Sequence, residues 1–384
     1  KKHVMKITVL GAGLVGGPMA LDLAGKGEFD VTVVDIDRGR LQRLSGRLPS
    51  LRTVDADVAS DPGRVRVLVG DSDMVINAMP GFMGYQTLKS VIEAGKNVID
   101  IAFFPEDPFT LDEMARSRNV TAIMDMGVAP GMCNVLIGYA GHMLDETHDV
   151  LYMVGGLPEV RQWPYEYKAV FSPVDVIEEY TRPARFVENG RPVVKPALSD
   201  PELLDFPGIG TLEAFNTDGL RSLATTVPCL NMKEKTLRYP GHIEKMRMLR
   251  ETGFFSQEPV MIGGIPVRPM DLTAKLLFPK WKLEEGETDF TVMKVVVEGM
   301  LNGKKTRFTW DLFDRYDPVT GIHSMARTTG YAATVALRMV AKGLYRQPGV
   351  SVPEFIGRRP DCVKFMLDGL RERGVVYTES VATE

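Results

Sequence analysis

A β-branched run, KITVL at 6–10, meets Gly11-Ala12-Gly13-Leu14-Val15-Gly16 and passes into an apolar helical stretch at 18–26. No other feature constrains the fold as much. A strand, a tight glycine turn and a helix make the first half of a βαβ unit, and such units close with one handedness. The second half follows at 31–34 (VTVV), a strand closed by Asp35. Strand signals recur at 53–58, 74–78, 98–101 and 120–124, separated by helical stretches at 38–48, 85–95 and 110–118. This alternation predicts an α/β, doubly wound parallel sheet of the Rossmann type.

The loop chemistry points to a dinucleotide. Gly11 permits the turn, Gly13 lets the backbone approach a pyrophosphate, and Gly16 lets the helix pack on its strand. Leu14 and Val15 complete the loop over a helix N-terminus whose free N–H groups suit an anion. Asp35 lies 35 − 16 = 19 residues past the last glycine, where an acid bonds an adenosine ribose 2′-OH. A carboxylate there repels a 2′-phosphate, so NAD is expected over NADP, with Arg38 and Arg40 softening the preference. Asn77, Ala78 and Pro80 end the fourth strand on the side where such sheets bind ligands, and Asp57 is placed to meet the adenine.

Beyond Asp125 the pattern changes. Strand runs lengthen at 150–154, 291–298 and 304–311, and proline and glycine cluster at 183–210 and 259–269. A second, mixed or antiparallel α+β domain is expected over 128–322, after a dinucleotide-binding domain at 1–127. Amphipathic helices at 325–342 and 365–373 have no sheet signal of their own, so 323–384 is expected to return to the first domain. Lys and Arg number 46 and Asp and Glu 50 in 384 residues, a net charge of −4. That balance offers no field for nucleic acid, and no apolar run is long enough for a membrane span. Cys133, Cys229 and Cys362 are too scattered for a disulfide framework, and no HxxxH or CxxC spacing suggests a metal. The N-terminal residues lead into the first strand without the apolar core of a signal peptide, so a cytoplasmic location is expected.

Several segments carry a family resemblance: Asp125-Met-Gly127-Val-Ala-Pro130-Gly131-Met-Cys-Asn134, Gly155-Gly156-Leu157-Pro158, Tyr167, Phe171-Ser172, Leu212-Glu213-Ala214-Phe215-Asn-Thr217-Asp-Gly219 and Thr236-Leu-Arg238-Tyr239-Pro-Gly241-His242. Together with the glycine loop they resemble the saccharopine dehydrogenase-like family, and the segment 212–219 resembles its lysine 6-dehydrogenase branch. Saccharopine reductases carry Asp-Pro-Gly where this chain has Ala129-Pro130-Gly131. The resemblance implies a homodimer formed through the second domain, which also binds an amino acid substrate, and NAD-dependent oxidation of the lysine ε-amine to 2-aminoadipate 6-semialdehyde with release of ammonia. The product can cyclise to a piperideine carboxylate. Saccharopine, a carboxylated polyamine conjugate of the carboxynorspermidine kind, and NAD binding without turnover are the alternatives.

Amine oxidation needs a base, and an amino acid carboxylate favours an arginine fork. Arg221 is the first choice for the carboxylate. Arg238 is the second, or else orders the turn at 239–241. His242, Lys168 and Asp125 are the candidates for proton transfer. His242 is expected to titrate near neutrality or to cap the helix after it, Lys168 to act if buried, and Asp125 to act or to hold the 127–131 loop. Tyr167, Thr217 and Asn134 complete the expected substrate site.

Overall fold

A computed structural model describes residues 4–58, 62–284 and 286–384; the start of the chain, read above as leading into the first strand, lies partly outside them. Contacts divide the chain into two compact units. One comprises the residues up to His142 with Ala326–Val376, the other Met143–Met325 with Tyr377–Glu384. The sequence reading set its breaks after 127 and 322.

The first unit opens with β1 (Lys6–Leu10), β2 (Asp30–Asp35), β3 (Arg52–Asp55), β4 (Met74–Asn77), β5 (Asn97–Asp100) and β6 (Thr121–Ile123). These strands pair in parallel, and β1, β4, β5 and β6 are almost wholly buried, as strands covered on both faces must be. Helices Gly16–Ala24, Arg38–Arg47, Pro62–Leu68, Gly81–Glu93 and Asp112–Ser117 connect them. Asp37 caps the second of these by accepting from the Arg40 amide at 3.1 Å. The helix Met132–Met143 was not anticipated. It is apolar nearly all round, so it lacks the one-sided period that marks a surface helix. Its Gly138 is required, because a Cβ there would lie 2.3 Å from the Glu354 carbonyl oxygen.

The second unit is built on an antiparallel-rich mixed sheet. Its strands are β7 (Glu146–Pro158), β8 (Ala184–Glu188), β9 (Arg191–Lys195), β10 (Glu202–Phe206), β11 (Gly210–Asn216), β12 (Asn231–Arg238), β15 (Asp289–Leu301) and β16 (Lys304–Arg315). Between them β13 (Val260–Ile262) and β14 (Ile265–Val267) form a separate two-stranded ribbon. β16 alternates buried with exposed residues over much of its length, β15 alternates buried with half-buried residues in its second half, and β12 and β7 pair in parallel. Trp281, Tyr180, Phe215 and Leu237 lie in the core that packs on this sheet.

The chain returns to the first unit through helix Ser324–Ala341. It then adds β17 (Gly349–Ser351), parallel to β6, and helices Pro353–Gly357 and Pro360–Arg371. The first sheet therefore has seven strands in the order β17-β6-β5-β4-β1-β2-β3. The return agrees with the sequence reading, but helices alone do not: three residues of β17 complete one sheet. The last strand, β18 (Tyr377–Thr383), pairs with β16 and completes the other, ordered β10-β11-β12-β7-β15-β16-β18.

Candidate functional site

The glycine loop sits at the carboxyl end of β1, and its three glycines differ in what surrounds them. A Cβ at Gly11 would lie 2.6 Å from the Ala78 carbonyl oxygen, and one at Gly16 would lie 2.1 Å from that of Gly11. Gly11 also has φ +102°, which an L side chain rarely adopts. At Gly13 a Cβ would meet nothing within 4 Å. The loop is thus walled at its two ends and open in the middle, the shape a backbone needs to receive a diphosphate against a helix N-terminus. Leu14 stands exposed beside this opening and Val15 is the residue before the helix.

Asp35 is turned toward the loop. One carboxylate oxygen accepts from the Ala12 amide at 2.6 Å, the other from the Asp37 amide at 2.7 Å, and the Arg40 guanidinium lies 3.9 Å away. Arg38 pairs with Asp55. Asp57 is half-buried just past β3. Asn77 is wholly buried. Its amide donates to the Gly84 carbonyl at 3.1 Å and to Asp100 at 2.5 Å, so its side chain locks strand ends together and faces away from solvent. Ala78 walls Gly11, and Pro80 precedes the helix Gly81–Glu93. Two bare apolar residues at the same strand ends escaped the sequence reading, Ile36 after β2 and Phe82 after β4. The signal was available for Ile36, an apolar side chain directly past a strand end, whereas Phe82 lies inside the helix Gly81–Glu93.

Asp125 follows β6 with φ +51° and is buried, and the Met126 amide bonds the Asp100 carbonyl at 2.9 Å. Left-handed backbone at a non-glycine residue is an uncommon and mildly costly choice. The loop after it is closed by Asn134, whose side-chain oxygen accepts from the Gly131 amide at 3.1 Å and whose amide donates to Glu354 at 3.0 Å. Asn134 is wholly buried and braces this turn.

In the second unit, Arg238, Tyr180 and His242 form a directional chain inside the core. The Arg238 Nε–H donates to the Tyr180 hydroxyl at 3.2 Å, and His242 Nδ1 lies 2.8 Å from the Tyr165 carbonyl, which can only accept. His242 therefore carries its proton on Nδ1, and Nε2 accepts from the Tyr180 hydroxyl at 2.9 Å. Burial and the Arg238 charge push the His242 pKa down to about 3. The expected titration near neutrality does not occur, because the ring is sealed among aromatic side chains beside a fixed cation. His242 does open the helix His242–Thr252, though without a side-chain cap. Arg238 is itself engaged, 2.6 Å from Glu179 and 3.0 Å from the Leu237 carbonyl, with its guanidinium 4.5 Å from the Tyr167 ring.

Lys168 is nearly buried, and its ammonium lies 3.3 Å from Glu287 and donates to the Lys282 carbonyl at 3.1 Å. Thr217 donates to Glu234 at 2.5 Å, and the Gly219 amide reaches the same oxygen at 3.1 Å. Burial, opposed by the Thr217 bond, raises the Glu234 pKa to about 8. Thr217 is thus tied into a buried network. Two residues beyond Gly219, Arg221 is half-buried and, like Asp125, left-handed, with φ +52°. Among the described residues, the Tyr167 hydroxyl and the Trp281 indole N–H are buried without a hydrogen-bond partner.

No helix among the described residues is long and apolar enough to cross a membrane, and they contain no cluster of three or more His, Cys, Asp and Glu residues suited to a metal.

Residues 7–123 match the family described as "Saccharopine dehydrogenase NADP binding domain", and residues 127–375 match "Saccharopine dehydrogenase C-terminal domain". Mitochondrial alpha-aminoadipic semialdehyde synthase of Rattus norvegicus is 25% identical over 66% of this chain, which spans only 29% of that protein's length. A "Saccharopine dehydrogenase [NADP(+), L-glutamate-forming]" of Pyricularia oryzae is 23% identical over 90% of this chain and 93% of its own. Apo saccharopine dehydrogenase (L-Glu forming) of Saccharomyces cerevisiae shares the fold, with a TM-score of 0.80 at 19% identity over 98% of this chain and 100% of that one. The two family matches run almost end to end, and the chain belongs to the saccharopine dehydrogenase family.

Proposed function

We propose that this protein is a nicotinamide-dependent dehydrogenase that oxidises a carbon–nitrogen bond of lysine or a lysine-derived amine. The observation that carries this reading is the loop opening at Gly13, walled by Gly11 and Gly16 and anchored by Asp35. The residues fit a dinucleotide: a loop whose cradle a Cβ at Gly13 would fill, at the start of a helix, with Leu14 exposed in the loop and Ile36 exposed after β2. The dinucleotide, when bound, accepts the hydride. The chain's own residues bind, orient and handle protons.

Asp125 is our assignment for proton transfer, its carboxylate taking the proton of the amine nitrogen. It sits at the ligand-binding end of the sheet in a strained backbone conformation. His242 is a weaker choice because burial beside Arg238 pushes its pKa down to about 3, and Lys168 because it is paired with Glu287 in the second unit. Arg221 is assigned to the substrate carboxylate. Between substrates, the segment 212–219 favours lysine, while the printed names of relatives favour saccharopine. Buried cations of the second unit are already paired, Arg238 with Glu179 and Lys168 with Glu287, which weighs against a tricarboxylate and supports lysine.

For the cofactor, Asp35 spends both oxygens on backbone amides, so its repulsion of a 2′-phosphate is partly neutralised, and Arg40 adds a cation. The names of the matched family and of the fungal relative also favour NADP. We therefore read the site as admitting both dinucleotides, with NADP the stronger, which revises the expectation drawn from Asp35 alone. A homodimer completes the proposal.

The test is reduced-cofactor absorbance with NAD and NADP against lysine, saccharopine, a carboxylated polyamine and cadaverine. Asp125→Asn should lower kcat at least a hundredfold at unchanged cofactor Kd. Binding of either dinucleotide with no reduction on any amine would leave only a binding protein.

A further inference from the structure

Four acids of the second unit are buried among the described residues: Asp218, Glu234, Asp289 and Asp314. Taking a carboxylate out of water is costly unless a cation or several donors meet it. Asp218 has the Arg185 guanidinium, at 2.8 and 2.9 Å from its two oxygens. Asp289 accepts the Ser324 and Met325 amides at 2.7 and 3.1 Å, where helix Ser324–Ala341 begins, and Asp314 accepts the Ser324 hydroxyl at 2.7 Å. Glu234 differs, because its hydrogen-bond partners are all neutral and fall almost wholly on one oxygen. Oε2 takes the Thr217 hydroxyl and the Gly219 amide. Oε1 has only the Thr236 hydroxyl at 3.4 Å, at the limit of a hydrogen bond.

The backbone is shaped around this carboxyl. A Cβ at Gly219 would lie 2.5 Å from the Glu234 carboxyl carbon, so only glycine brings its amide there. The Gly219 carbonyl accepts from the Tyr152 hydroxyl, and Tyr152 stands opposite Glu234 in the register of β7 and β12. The segment is thus fixed on both sides of Gly219, and Arg221 follows two residues on, within about 7 Å along the chain. An under-used carboxylate oxygen and the arginine assigned above to a carboxylate are brought to one short segment. An α-amino acid carries its ammonium and its carboxylate on one carbon, so a site that reads both needs an acid and an arginine as near neighbours.

We infer that Glu234 receives the α-ammonium of the substrate through Oε1, while Arg221 takes the carboxylate of the same amino acid end. The inference rests on the lysine reading above and deepens it: the substrate class is an amine that ends in an intact α-amino acid, which lysine and saccharopine share. The other acids nearby are engaged, Glu179 on helix Pro173–Thr181 with Arg238 and Asp218 after β11 with Arg185. Burial pushes the Glu234 pKa up to about 8, against the Thr217 bond and with the help of the Glu179 and Asp218 charges. Near neutral pH the carboxyl of the free protein therefore holds a proton, and the arriving ammonium takes its place while the proton passes to solvent.

Calorimetric titration of the full chain tests this, with NADPH present so that no turnover occurs. The two ligands are lysine and 6-aminohexanoate, which keeps the carboxylate and the terminal amine and lacks the α-ammonium. The parent should bind lysine at least about tenfold more tightly. At pH 7 lysine should release about one proton more than 6-aminohexanoate, read from the heats in buffers of different ionisation enthalpy. Glu234→Gln should raise the lysine Kd at least about tenfold, hold that of 6-aminohexanoate within about twofold, and abolish the extra proton. A parent that binds lysine no better than 6-aminohexanoate, or binds neither, overturns the inference without any variant. Equal weakening of both ligands in Glu234→Gln also overturns it, making Glu234 a prop for the segment 217–221. The absorbance panel keeps the two proposals apart. Lysine bound selectively yet never oxidised removes the dehydrogenase alone, and lysine oxidised with its selectivity intact in the variant removes only the ammonium site.

Discussion

Asp35 shows how one side chain can hold a loop and set a preference. Its carboxylate is committed to the Ala12 and Asp37 amides, so the nearby cation, Arg40, decides how a 2′-phosphate fares. Arg40→Ala should weaken NADP binding about tenfold, the 1.4 kcal/mol of a modest charge-assisted contact, and leave NAD within about twofold. Calorimetric titration reads both, and an equal loss for the two cofactors would reassign Arg40 to the loop. Glu234 makes a different point. Its folded pKa, about 8, lies above its ordinary value of 4.5, so the folded state keeps a proton that the unfolded state has already lost. Its contribution is complete below pH 4.5 and is lost as pH rises toward 8. Glu234→Gln removes the charge and keeps an acceptor for Thr217. Compared with the parent, the variant should gain stability from pH 5 to pH 9, by a few kcal/mol at most. Thermal melts at both pH values check it, and a constant difference would mean the carboxyl does not titrate in that window.

Between elements, the returning helix Ser324–Ala341 braces the glycine-loop helix Gly16–Ala24. A Cβ at Gly330 would lie 2.9 Å from the Met19 side chain, so the two helices approach closely there. Asp22 on the first helix accepts from Thr334 at 2.6 Å, from Arg338 at 2.7 Å and from Arg373 at 2.8 Å. Removing that carboxylate leaves two largely buried guanidinium groups short of a partner. Arg338 keeps Glu28, so Asp22→Ala should cost about 3 kcal/mol, a Tm loss of roughly 6–12 °C. Differential scanning calorimetry measures this, and a loss under about 2 °C would show the cluster to be dispensable.

At the scale of the whole chain, each compact unit is closed by residues from the far end of the sequence. Ending the chain after Met325 removes β17 and the apolar face of helix 324–341 from the first unit, at about 25 cal/mol per Å² of apolar surface exposed. Such a truncation should lack a cooperative melt and bind no dinucleotide, by circular dichroism and fluorescence titration. A soluble truncation that binds NAD or NADP would show that the first six strands suffice.

Some of this was legible along the chain, and the reason is range. Strand–helix alternation, the glycine loop and the acid after β2 are short-range patterns, set by propensity and spacing within some thirty residues. The sequence alone therefore determined the doubly wound sheet, the loop and the family motifs. It could not determine which polar side chains stay available. Asn134 is claimed by Glu354, 220 residues away, and Arg238 by Glu179, 59 residues away. His242 looks like a neutral-pH base until burial beside Arg238 removes its titration. Strands as short as β17 carry too little pattern to be seen, and they exist because β6 offers them an edge. Tertiary structure decided these matters because burial, charge pairing and strand partners are supplied by residues that become neighbours only when the chain has folded.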